Sequence, residues 1–191
     1  MFKNGGCLMK DRRTIKTKKA IRESFLELLK EKDVQQITVS ELSRRADLGR
    51  GTFYLHYQDV FDLHEQLEKE LFNQLGGLYD ESFPSQDPLD MLSFLNKTTE
   101  YLKEKQFMMT LFVKPNSPTT NQFKAFFKEK IMKEWQLDQR QITEREQIEA
   151  SFVVSGVVGV LEEWIHEGMT VEAGQLAHVL YKLLMKVEQE S

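Results

Sequence analysis

Apolar side chains recur three and four positions apart along most of this chain, and nowhere does a period of two last long enough for a strand. Ile21, Phe25, Leu28 and Leu29 follow that spacing, with Lys and Glu between them. Leu92, Leu95, Thr99 and Leu102 repeat it, as do Phe123, Phe127, Ile131 and Trp135. A final stripe runs through Leu176, Val179, Leu180, Leu183, Leu184 and Val187. Such spacing places apolar groups on one face of a helix. Ile37-Thr38-Val39 is β-branched, but it is short and passes at once into a helical pattern. Breakers are few: 4 Pro and 10 Gly in 191 residues, with turn clusters at 82–88 and 114–120. The expectation is an all-α protein of about nine helices, without internal repeats.

Cys7, the single cysteine, allows no internal disulfide and no cysteine-based metal cage. The longest apolar stretch, 152–161, contains Ser155 and stops at Glu162 and Glu163, too short to span a bilayer. The N-terminus lacks the apolar core of a signal peptide. These features predict a cytoplasmic protein with no membrane association. Taken alone, the formal net charge of −4 argues against a polyanionic partner. Its distribution reverses that inference. Residues 1–58 carry 13 Lys and Arg against 7 Asp and Glu, whereas the remainder carries 13 against 23. A basic head on an acidic body suggests two jobs.

The head contains the most informative segment, TVSELSRRADLGRGTFYLHY at 38–57. Thr38 followed by Glu41 reads as a capping-box start. A short helix over 39–46 would bury Val39, Leu42 and Ala46. Asp47-Leu48-Gly49 breaks it, with Leu48 as an apolar plug, and a second short helix follows over 50–57. Two short helices across a tight turn form a helix-turn-helix, whose second helix enters the DNA major groove. A helix over about 14–31 would brace the pair.

Thr38, Val39, Leu42, Ser43, Ala46, Leu48, Gly49, Gly51, Thr52, Phe53, Tyr54, His56 and Tyr57 stand in the register of one known pattern. The segment resembles the DNA-binding domain of the TetR family of transcriptional regulators. The resemblance covers roughly residues 14–70. It implies a DNA-binding domain at 10–58, a connecting helix at about 59–80, and an effector-binding and dimerising domain at 81–191. Arg50 leads the recognition helix, where a guanidinium can take guanine O6 and N7 together. Gly51 lets backbone approach the groove. Thr52, Tyr54, His56 and Tyr57 offer donors to phosphate oxygens. Thr38 presents a helix N-terminus, Ser40 faces the groove in the family, and Phe53 turns inward. The basic stretch with Lys16, Lys18 and Lys19 adds contacts to backbone or minor groove. One position departs from the pattern. A Lys common near the start of the connecting helix is Val60 here, beside Asp59, so a phosphate contact is missing.

The acidic body is rich in Phe and Met. Phe94, Phe107, Met108, Phe112 and Phe127 are candidates to line an apolar effector pocket, with plain helical core as the bland alternative. Ser155, Gly156 and Gly159 interrupt an apolar run, and a close helix–helix approach would offset what glycine costs there. With Phe152, Leu180 and Leu183 they form the candidate dimer interface that the resemblance implies. The region after 155 also loosely resembles a TetR branch that includes activators of dihydroxyacetone-kinase operons. Gly76-Gly77 is either a hinge or a helix end.

No phosphate-binding loop, zinc-protease motif, dinucleotide fingerprint or nucleophile elbow is present. The pairs Glu162/His166 and His64/Glu68 read as solvated helix faces rather than metal ligands. The expectation is therefore a homodimeric regulator without enzymatic activity, cofactor or metal. It would bind a palindromic operator in double-stranded DNA, most simply as a repressor relieved by a small-molecule effector. The alternative is a co-activator whose C-terminal domain docks a protein partner.

Overall fold

In the computed structural model, which describes residues 5–82, 88–113, 118–135 and 141–189, the backbone forms nine α-helices and one 3-10 turn. There is no strand among the described residues. Most of the two expected turn clusters, and the side chains of Cys7 and Trp135, lie outside the described residues. No described helix is long and apolar enough to cross a membrane. Contacts divide the chain into two units, 1–69 and 70–191.

The first unit is built on α1 (Gly5–Glu31), a 3-10 turn at Val34–Gln36, α2 (Val39–Arg45), α3 (Arg50–Tyr54) and the start of α4 (Val60–Ser82). Its core takes Ile21, Phe25 and Leu28 from α1, Leu42 from α2, Phe53 from α3, and Val60, Leu63 and Leu67 from α4. Of the three residues expected to be buried on α2, only Leu42 is fully so; Val39 and Ala46 are half-buried. The helix ends are held by local hydrogen bonds. Thr38 Oγ1 accepts from Glu41 N at 3.2 Å, but the return bond of a capping box is absent. The Glu41 carboxylate turns instead to Lys32 Nζ, at 2.6 and 2.7 Å.

The break after α2 is the work of Asp47 rather than Gly49. Asp47 adopts φ 53, while Gly49 has an ordinary extended backbone. Leu48 N donates to Ser43 O and Asp47 N to Arg44 O, the pair of bonds that closes a helix through a left-handed residue. Asp tolerates that conformation better than most residues.

The second unit contains the rest of α4, then α5 (Pro88–Glu104), α6 (Gln106–Phe112), α7 (Pro118–Trp135), α8 (Glu144–His166) and α9 (Ala173–Gln189). α9 packs along α5, and α7 along α8. Leu71 and Leu75 of α4 join Leu95, Leu102, Met109, Trp164, Ile165 and Leu180 in its core. Thr143 starts α8 with a full capping box to Glu146. Gly168, at φ 78, ends that helix, and Met169 follows at φ 55. Lys103 Nζ, Gln106 Nε2 and Trp164 Nε1 donate to the carbonyls of Met169, Gly168 and Val171, tying down the loop.

Candidate nucleic-acid interface and ligand cavity

Within the first unit, the expected DNA-contacting residues fall into two groups. Ser40, Arg50, Gly51 and Tyr54 are exposed, and the last three lie on α3. Thr38 is exposed at the cap of α2, and Thr52 is half-buried. A Cβ built on Gly51 would meet nothing within 4 Å, and its φ is not positive. Nothing among the described residues requires a glycine there. Tyr54 is 58% exposed, and its neighbour Leu55, which the sequence reading did not single out, is more exposed still.

Tyr57 departs from expectation. Only 2% exposed, it packs its ring against Phe53, and its hydroxyl accepts from Arg22 Nε at 3.1 Å. Its aromatic ring follows the apolar stripe into the core, so it supports α3 from behind. Lys18 stands over the same ring, 5.9 Å from its centre, bringing two cations of α1 to the far end of α3. Arg22 was missed in the sequence, although its position four residues after Lys18 places both on one face of α1. Burial, and then the charge of Lys18, hold the His56 imidazole below its ordinary range. Lys16 and Lys19 are exposed, and Lys19 lies 3.7 Å from Glu23. Arg45 is taken up by a two-pronged pair with Glu31, at 2.7 and 3.2 Å.

The departure at 59–60 has a structural reason. Val60 is buried in the core. Asp59 Oδ1 accepts from Asp62 N, and Asp62 Oδ2 accepts from Gln58 N, both at 2.8 Å. The acidic pair closes the start of α4 where a lysine would otherwise reach out. The bond from Gln58 N, and then one from Gln66 Nε2, hold the Asp62 carboxyl below its usual range.

The second unit contains an apolar cavity, partly open to solvent. Phe94 and Phe127 line it, as expected, together with Met91, Thr98, Val157 and Leu161 among others. Phe107, Met108 and Phe112 do not. Their helix, α6, buries Met109 and Phe112 in the unit's interior, packs Met108 against that core, and leaves Phe107 partly exposed. Phe126, adjacent to Phe127, lies on Gly76 of α4. A Cβ there would come within 2.8 Å of its ring. Gly76 is thus a point of close helix approach within a continuous α4, not a helix end.

The expected interface residues also divide. Phe152 is 66% exposed and Leu183 50%; Ser155 and Gly156 are exposed and Gly159 half-buried. Added Cβ atoms at both glycines would meet nothing within 4 Å. Among the described residues, the close approach expected there has no partner. Leu180 is corrected: it is 3% exposed and belongs to the core. Ile148 and Val179, both exposed, extend the apolar stripes. His64 Nδ1 lies 3.4 Å from Glu68, and among the described residues no three His, Cys, Asp or Glu form a group able to hold a metal.

A tri-helical head ending in a short exposed helix, with an all-helical body around a cavity, defines a helix-turn-helix regulator. Residues 89–186 match the family model described as the transcriptional regulator C-terminal region of TetR type. The chain belongs to the TetR family of transcriptional regulators, which bind DNA and are not enzymes. A curated relative, the uncharacterized HTH-type transcriptional regulator YxbF of Bacillus subtilis, is 34% identical over 71 residues. That match covers 37% of this chain and 19% of the relative, so it spans about a fifth of the relative's length. Among solved structures, a TetR regulator from Streptococcus agalactiae shares 23% identity and a TM-score of 0.63, covering 93% of this chain and 98% of that one. The dihydroxyacetone kinase operon activator DhaS shares 19% and 0.61, over 89% and 94%. FadR of Bacillus subtilis, solved with stearoyl-CoA, shares 15% and 0.62, over 86% and 96%. These likenesses bear on the fold.

Proposed function

We propose that this regulator binds a palindromic operator as a homodimer and represses transcription until a small molecule enters the cavity of its second unit. The cavity carries the reading. Side chains from α4, α5, α7, α8 and α9 converge on it, and their almost wholly apolar lining is of the kind that takes up small ligands. FadR, a neighbour in fold, holds stearoyl-CoA. DhaS, described as an activator, is the counterweight on the direction of control. Dimerisation is supported by the exposed stripe of Ile148, Phe152, Val179 and Leu183 and by the unfilled space over Gly156 and Gly159. A two-fold dimer would present two copies of α3 to two half-sites. Arg50 and Ser40 read bases in this proposal. Thr38, Thr52, Tyr54, His56 and the lysines of α1 hold the phosphate backbone. A ligand regulates only by binding the DNA-bound and released states with different affinity.

The test begins with selection of bound duplexes from a random library. A palindromic consensus is expected. Arg50→Ala should weaken that duplex by about 1–3 kcal/mol per half-site and leave the dimer intact in sedimentation. An asymmetric consensus, or Arg50→Ala binding with full affinity, refutes the reading.

A further inference from the structure

The cavity of the second unit is walled by hydrocarbon and aromatic groups, and among the described residues none that lines it carries a formal charge. One side chain in the wall stands apart. Thr98, on α5, is 5% exposed, and its Oγ1 has no hydrogen-bond partner. The contrast with its neighbour is direct. Thr99 Oγ1 donates to Leu95 O at 2.9 Å and lies 3.1 Å from Asn96 O, the usual resort of a helical threonine. Thr98 makes no such bond. A threonine on a helix divides between two χ1 wells about 120° apart, and passage from one to the other exchanges its methyl for its hydroxyl at the cavity wall.

The charges nearby are already spoken for or unwelcoming to an anion. Lys130 Nζ stands 5.4 Å from the centre of the Tyr79 ring, which lines the cavity, but it is paired with Asp80. Glu162, next in sequence to the lining residue Leu161, is buried with its Oε1 unpartnered. Its Oε2 is 3.9 Å from Lys124. A carboxylate or phosphate moved into this space would lose its hydration without gaining a counter-charge.

Resting on the effector reading above, we infer that the cavity takes an uncharged, mostly hydrocarbon molecule with one hydroxyl or carbonyl group, which pairs with the Thr98 hydroxyl. That hydroxyl both donates and accepts, so either type of group satisfies it. The hydrocarbon supplies affinity by leaving water, and the single polar contact fixes orientation.

The inference is tested by calorimetric titration of the full-length protein with decanol, decanoate and decylammonium at neutral pH. Decanol should bind at least tenfold more tightly than either ion. Thr98→Val should weaken decanol by about fivefold, the worth of one neutral hydrogen bond, and Thr98→Ser should retain it. Neither variant should change operator affinity without ligand. If either ion binds as tightly as decanol, or Thr98→Val binds decanol with full affinity, the ligand class is wrong although the cavity remains a ligand site. If none of the three binds while the protein still holds its operator, the effector reading fails and takes this inference with it.

Discussion

Gly51 offers the sharpest separation of stability from function. It lies in the first turn of α3, has no positive φ, and faces empty space. Replacing it with Ala introduces one methyl group that touches nothing among the described residues. Alanine is favoured over glycine in a helix by about 0.5–1 kcal/mol. For a chain of this size, that gain should raise Tm by roughly 1–4 °C. DNA binding should move the other way. If the recognition helix presses its backbone into the groove, the methyl group occupies the space of a base or phosphate. A loss of about tenfold at each half-site, or about 1.4 kcal/mol, becomes about a hundredfold on a symmetric operator when the two sites act independently. No charge is removed, so the slope of log affinity against log salt concentration should stay the same. Fluorescence anisotropy on the selected duplex and a thermal melt measure the two quantities. A variant with raised Tm and unchanged affinity would show that α3 does not approach DNA through Gly51, and the glycine would have no explanation in this structure.

Other consequences follow from particular contacts. Gly76→Ala forces a Cβ to within 2.8 Å of the Phe126 ring and should cost about 1–3 kcal/mol in urea unfolding. Phe126→Leu in the same chain should recover part of that loss, and strictly additive effects would disprove the contact. Phe152→Asp places a charge on the exposed face of α8 and should turn a dimer into a monomer in sedimentation, with helicity unchanged by circular dichroism. A dimer that survives would move the interface elsewhere. His56 takes its proton less readily in the folded chain than when unfolded. Its contribution to stability is therefore complete above the unfolded value of about pH 6.5 and is lost as pH falls from there through the lower folded value. A DNA phosphate beside it favours the charged form, so acidification should strengthen operator binding in the wild type more than in His56→Gln. Equal pH profiles for the two would remove His56 from the DNA contacts.

The spacing of apolar residues was enough to read the helices, because a buried face imposes its period on the sequence. It was less informative about what covers each face. Leu180 and Leu183 lie on one stripe of α9, yet the first is enclosed by the core and the second meets water. Phe107 and Phe127 are alike as residue types, but only Phe127 borders the cavity. Whether an aromatic fills space or lines it depends on helices distant in sequence. Tyr57 shows the same ambiguity in one residue, with a ring that belongs to the core and a hydroxyl that suits a surface. Thr38 was legible as a cap because its bond to Glu41 N spans three residues. The other half of the expected box was lost to Lys32, nine residues before Glu41. Arg22 escaped notice for a related reason: its partner, Tyr57, is 35 residues away.

The bare stripe on α8 and α9 has a consequence for gene dosage. If a second copy covers Ile148, Phe152, Val179 and Leu183, as in the proposed dimer, each protomer gains stability, and that gain grows with the amount of protein present. Where dimers are scarce, their number rises with the square of the chain concentration, and operator occupancy rises just as steeply. Small changes in the regulator's synthesis would then act as a control signal of their own, independent of any ligand.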